Sequence, residues 1–158
     1  MSLTIVGQKV ELRSEIEILA TATVVWDVLT NFRAYGEWNP FIVEADGQLR
    51  EGATVSVTIN FPGNRERKLR RSILKLLPMN ELRWSSTSIL RALVHSEQFF
   101  LLRPVTEDRV RLAVGENFTG IMAPRNPVEL SQISQGLTLM NQAIKRRSEL
   151  QNAGALRP

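Results

Sequence analysis

Cysteine is absent from the 158 residues, and histidine occurs once, at His95. The first absence excludes disulfides, thiolate metal sites and a cysteine nucleophile, and suits a reducing compartment. The second excludes a multi-histidine metal centre and leaves a serine nucleophile with almost no choice of base. No glycine-rich loop follows a strand pattern, and no paired acidic run is present to hold a divalent cation. Nucleotide and metal chemistry therefore have no support, and no cofactor is expected. No apolar run reaches the length of a bilayer-spanning helix, and residues 1–10 lack the basic-then-apolar order of a signal peptide, so the expected location is cytoplasmic. Charge imbalance is also small: twenty Lys and Arg stand against sixteen Asp and Glu, a net charge of +4 that does not by itself imply nucleic acid. The basic run Arg65, Arg67, Lys68, Arg70 and Arg71 reads first as a solvated strand end, with an anionic membrane or an acidic ligand group as the alternative. It has no interleaved aromatics, which argues against single-stranded nucleic acid.

What the chain does contain is pattern. Its length suits a single domain over 1–158, able to bury roughly 70% of its unfolded surface. The most regular stretch is 126–151. Asn126 is a helix cap, Pro127 suits the first helical position, and Leu130, Ile133, Leu137, Met140 and Ile144 form one apolar stripe. Upstream, residues 9–19 alternate as a strand with one wet face. Thr21 caps a short helix carrying Val25, Trp26, Leu29 and Phe32, and a second helical turn over 33–37 ends before Pro40. Strand patterns then follow at 41–49, 54–61, 68–77, 81–87, 92–103 and 109–120, separated by turns such as Pro62-Gly63-Asn64 and Pro78-Met79-Asn80. Hairpin spacing predicts an antiparallel sheet of about seven strands, and the long helix is the only element large enough to cover its apolar face. A sheet curled round one helix leaves a gap that suits a small molecule.

In this order of elements, several short runs resemble the START-like, or helix-grip, superfamily (SRPBCC, Bet v 1-like), and within it the polyketide cyclase/dehydrase group. They are Val25-Trp26-Asp27-Val28-Leu29-Thr30, Tyr35-Gly36-Glu37-Trp38-Asn39-Pro40-Phe41, Leu82-Arg83-Trp84, Gly115-Glu116-Asn117-Phe118-Thr119-Gly120, and Met140-Asn141 with Ile144-Lys145. One departure is Gln98, where similar sequences often carry a histidine. The resemblance implies an α+β helix-grip fold and a cavity for an apolar or amphipathic ligand. It spans carriers, receptors, cyclases and co-chaperone domains, so it does not by itself settle function.

Strand parity turns Val57, Ile59, Trp84, Phe100 and Phe118 inward against Leu137 and Met140 of the helix. Trp38, Trp84 and Asn141 join them as candidate ligand contacts. Arg70 points inward if it shares parity with Ser72, Leu74 and Leu76, but the odd set Leu69, Ile73 and Leu77 competes for that face. Glu116 has the parity of Val114 and Phe118 and needs a partner. A hairpin placing Pro104 opposite Val110 puts Gln98 opposite Glu116, which makes Gln98 the expected neighbour, with Arg70 as an alternative. Glu116 is thus a candidate ligand anchor and the candidate acid or base of an enzyme. Phe99 and Leu101 are expected on the wet face, as a contact for a homodimer. The leading reading is binding or carriage of a small hydrophobic or amphipathic ligand, lipid-like or polyketide-like. A polyketide cyclase or aromatase is the alternative, and a co-chaperone-like interaction domain the second. Sparse inward polar groups would favour the carrier, a connected polar cluster the enzyme.

Overall fold

Alternating residues become strands here wherever one face has a core to meet. The computed structural model describes residues 1–6, 9–61, 65–87, 94–121, 123–124 and 126–155. The turn expected at 62–64 and the start of the strand expected from 92 lie outside these. The elements are β1 (Ser2–Val6), β2 (Lys9–Ile18), α1 (Ala22–Thr30), a 3-10 turn (Phe32–Ala34), α2 (Tyr35–Trp38), β3 (Ile42–Gly47), β4 (Thr54–Phe61), β5 (Arg65–Leu77), β6 (Glu81–Ser86), β7 (His95–Thr106), β8 (Arg109–Thr119) and α3 (Pro127–Ala155). All eight strands form one antiparallel sheet in the order β1-β2-β8-β7-β6-β5-β4-β3. The helix-grip architecture is as expected, with one strand more. That strand, β1, pairs only with β2 and is exposed along its length, so it buries no face from which a pattern could be read.

The long helix grips the sheet through the stripe read from its spacing. Leu130, Ile133, Leu137, Met140 and Ile144 are all buried, each contributing roughly 1.5–3 kcal/mol through burial. The Asn126 carboxamide accepts the Val128 N–H at 2.9 Å, capping the first turn. Asn141 donates to the Ser14 carbonyl at 3.1 Å and ties the helix to β2. Thr21 caps α1 by accepting the Val24 N–H. The run at 35–41 builds a corner: Tyr35 donates to the Leu29 carbonyl at 2.7 Å, while the Asn39 side chain accepts the N–H groups of Phe41 and Ile42.

The space between sheet and helix is largely filled. Phe32 stacks obliquely on Trp84 at 5.7 Å, Trp84 meets Phe100 edge-on at 5.4 Å, and Tyr35 bridges Phe32 and Trp38. Val57, Trp84, Phe100, Leu137 and Met140 point inward as expected, but they pack against one another as core. Large aromatics gain most by excluding the void they could otherwise line.

The outer face corrects one expectation. Phe99 is only 3% exposed. It lies over Gly115, its cross-strand partner, with the Arg13 and Arg83 guanidinium groups 5.9 and 5.5 Å from its ring centre. Arg83 is held there by Glu81 and Glu97. Glu81 also meets Lys75 at 2.7 Å; burial pushes its carboxyl upward, but hydrogen bonds from Lys75 and Arg83 outweigh this and hold it below the usual range. With Leu101 half-buried, the exposed pair that suggested a dimer contact is missing.

Candidate functional site

Among the described residues, the pairing of β5 with β6 ends where Arg71 opposes Ser86, while β5 itself begins at Arg65 and β7 at His95. At this end lies an open mouth of about 570 Å³, walled by Arg67, Leu69, Arg71, Thr87, Val94, Ser96, Phe118, Pro124 and Glu129. Behind it is a recess of about 120 Å³ reaching Phe41, Ile59, Phe61, Glu116 and Ile133. The two share Arg67, Leu69, Arg71, Ser96, Phe118 and Glu129 as walls. The mouth falls in the size range of small-molecule sites, and the recess is small enough to take only a part of one.

Glu116 is at the floor and faces inward as its parity requires, 4% exposed. The register is the expected one: Pro104 opposes Val110, Phe100 opposes Val114, and Gln98 opposes Glu116. Its partner is different. Arg71 reaches Glu116 from β5, Nη2 to Oε1 at 3.0 Å, with both side chains almost completely buried. Gln98 turns instead to its other cross-strand neighbour, accepting the Trp84 indole N–H at 2.7 Å. Arg71 Nη1 also donates to the Ser96 hydroxyl. Ser86 accepts the backbone N–H of Ser96 at 3.2 Å, and its hydroxyl lies 3.4 Å from His95 Nδ1. A connected polar cluster therefore reaches the recess through Glu116, Arg71 and Ser96, opposite the apolar side chains of Phe41, Ile59, Phe61 and Ile133.

Arg70 is exposed and Arg71 is inward, which corrects the expectation for Arg70. The cause is a bulge. Leu69, Arg71 and Ile73 face inward up to a register shift between Ile73 and Lys75, after which Leu76 faces inward opposite Leu82. Both competing parities hold, on either side of the bulge.

Of the other expected ligand contacts, Ile59, Glu116 and Phe118 line the recess. Val57, Trp84, Gln98, Phe100, Leu137, Met140 and Asn141 are buried outside both described cavities. Trp38 is half-buried and lines a separate open groove of about 590 Å³ with Gln142, Arg146 and Leu150. Sequence reasoning missed Arg71 and Ser96 as site residues. Ser96 shares the parity of Gln98 and Phe100, a signal that pointed inward all along.

Three buried nitrogen donors lack an acceptor among the described residues: Asn39 Nδ2, Arg71 Nε and Gln98 Nε2. Buried N–H groups without partners cost about 1–3 kcal/mol each. Arg71 lines the recess, so an acceptor entering it has a donor to meet.

The model of the family described as polyketide cyclase / dehydrase and lipid transport matches residues 9–147. The chain belongs to this family. No curated protein matches it at a significant level. Among solved structures, a START superfamily protein from Mycobacterium smegmatis superposes with a TM-score of 0.73 at 16% identity, covering 89% of this chain and 98% of that one. The major latex-like protein 151 of Panax ginseng gives 0.70 at 10% identity, covering 92% and 99%. A point mutant of Thalictrum flavum norcoclaurine synthase, in complex with a transition-state analogue, gives 0.63 at 14% identity, covering 96% and 98%. At these identities the likeness shows the shared fold. This polyketide cyclase/dehydrase family member thus has the START-like, Bet v 1-like architecture, and no described helix is long and apolar enough to cross a membrane.

Proposed function

We propose that the protein binds a small amphipathic molecule, lipid-like or polyketide-like, whose polar end carries a carbonyl or carboxylate oxygen. The observation that carries this reading is the buried Arg71 guanidinium on the recess wall, neutralised by Glu116 and still holding an unpaired Nε–H. The Ser96 hydroxyl accepts from Arg71 and so has its own proton to offer an acceptor. The apolar body would lie against Leu69, Phe118 and Val94 in the mouth, since the recess holds only the head. Carriage between cell sites is one use of such binding.

A cyclase or dehydrase reading has one specific support, the connection of Glu116, Arg71 and Ser96 into a single cluster. There Arg71 and Ser96 would polarise a ligand carbonyl and Glu116 would move a proton from the adjacent carbon. Native mass spectrometry of freshly purified protein, with titration of a fluorescent anilinonaphthalene sulfonate, tests binding. We expect saturable binding that Leu69→Trp abolishes by filling the mouth while the fold stays intact. Unchanged dye affinity in Leu69→Trp and Ser96→Ala together would remove the proposed site. Glu116→Gln separates the two uses: altered affinity for the extracted ligand supports binding, and retained affinity with loss of ring closure on a poly-β-ketone supports the enzyme.

A further inference from the structure

The long helix has a second face. Apart from Glu129, every exposed residue of α3 from Val128 to Leu150 lies on one outward ridge, on the side of the helix away from its buried stripe. The ridge carries three large apolar side chains: Val128 is 65% exposed, Leu139 42% and Leu150 63%. They recur eleven residues apart, close to three full turns, so they stand in one straight line about 33 Å long. Between them lie Ser131, Gln135, Gln142 and Arg146. The ridge thus bears a single charge, where the solvent face of an amphipathic helix is normally charged along its length. Two grooves flank its C-terminal half, about 590 Å³ on the side of Trp38 and about 420 Å³ on the side of Lys145 and Glu149; Gln142, Arg146 and Leu150 wall both.

The ridge is complementary to itself when a second copy runs antiparallel. A two-fold axis at Leu139 sets this leucine against its own counterpart, and it sets Leu150 against Val128 of the second copy at both ends, because both lie eleven residues from the axis. The same axis brings Gln142 beside Gln135 of the second copy, and their amides pair as donor and acceptor in either direction. Arg146 falls beside Gln132 of the second copy, within a turn of its Glu129. Lys145 and Arg147 are held by Glu149 and Glu37, while Arg146 has no ion pair among the described residues and is left to meet this carboxylate. A parallel arrangement would instead stack Arg146 on Arg146 and set two helix dipoles side by side in the same direction. The first turns of the second copy seat beside Leu150, where the two grooves receive a ridge. A helix contact of this length buries on the order of 1,000 Å² in total, the lower bound for a specific pair.

We infer that the protein forms a two-fold dimer through the outward ridge of α3, packed antiparallel about Leu139. The inference does not rest on the binding reading, and the contact lies on the opposite side of the molecule from Phe99. Sedimentation equilibrium of the whole chain is expected to show monomer and dimer exchanging with concentration. Leu139→Glu places two carboxylates at the axis and is expected to raise the dissociation constant of the dimer roughly thirtyfold or more. Its circular dichroism is expected to stay unchanged, because the side chain is exposed. With no native cysteine, cross-linking reports only the positions chosen. Under mild oxidation Leu139→Cys is expected to give a covalent dimer, and an equimolar mixture of Val128→Cys and Leu150→Cys a covalent heterodimer, whereas Leu150→Cys alone stays uncross-linked. A single-chain mass at every concentration overturns the inference and leaves the ridge to a different protein. A dimer that Leu139→Glu does not weaken overturns it in favour of another surface, and efficient cross-linking of Leu150→Cys to itself overturns the antiparallel register.

Discussion

Tyr35 is the chain's single tyrosine, fully buried, with its hydroxyl donating to the Leu29 carbonyl. Burial disfavours the phenolate and pushes this hydroxyl far above its ordinary value of 10.0. The sign follows: a group whose proton is held more tightly in the folded state stabilises it below the unfolded value, and that stability is lost as pH rises past it. Phenolate absorbance therefore reads one residue. It is expected to appear in the same alkaline step as loss of near-ultraviolet circular dichroism; phenolate forming while the fold persists would show that the hydroxyl is open to solvent. At this scale the sequence was only partly legible. Parity placed Glu116 inward opposite Gln98, because both strands alternate without interruption there. It could not choose between Arg70 and Arg71, because a bulge within β5 reverses which residues face in, and a bulge leaves no mark in the apolar pattern. Nor could it tell a tryptophan that lines a pocket from one that fills it, since both need the same inward face. The buried Arg71–Glu116 pair is weak evidence for net stability, but removing one partner leaves a charge that costs about 3–5 kcal/mol, so binding tests are safer at Ser96.

Among the elements, α3 contains a residue whose role its own stripe does not reveal. Gly136 sits next to Leu137, and a Cβ there would lie 2.2 to 2.8 Å from three ring atoms of Phe41. The ring is buried and also meets Phe61 edge-on at 5.9 Å, so it has little room to withdraw. Helix propensity alone favours alanine over glycine by about 1 kcal/mol. Overpacking costs about 1–3 kcal/mol, and here it wins because the obstacle is a fixed aromatic ring. Gly136→Ala is expected to lower the urea midpoint with an unchanged slope, and a raised midpoint would show that Phe41 moves aside. Gly115 under Phe99 follows the same logic across β7 and β8, and explains why an apolar residue with outward parity is covered. The legible elements were those with a wet and a dry face; β1 has no dry face and went unread.

For the whole molecule, the strand order has a consequence in time. From β3 to β8 each strand pairs with its successor, so this part can zip up hairpin by hairpin. β2 does not pair with its successor; it joins β8, closing a loop that contains most of the chain, from Ile18 opposite Val110 to Val10 opposite Phe118. Closing a long loop costs entropy before any contact repays it, and topologies rich in such contacts fold slowly. Since α3 leans on β2 more than on any other strand, the helix lacks its main support until that closure occurs. The meander is therefore expected to be structured in the folding transition state, with the β1–β2 hairpin joining afterwards. Stopped-flow kinetics separate the two: Leu12→Ala in β2 should mainly speed unfolding, and Leu82→Ala in β6 should mainly slow refolding. If Leu12→Ala slows refolding as much, β2 is in the nucleus. On the expected order, a chain emerging from synthesis holds the inner edge of β2 unpaired until β8 has been made, and the apolar face of β2 stays open to aggregation for that interval.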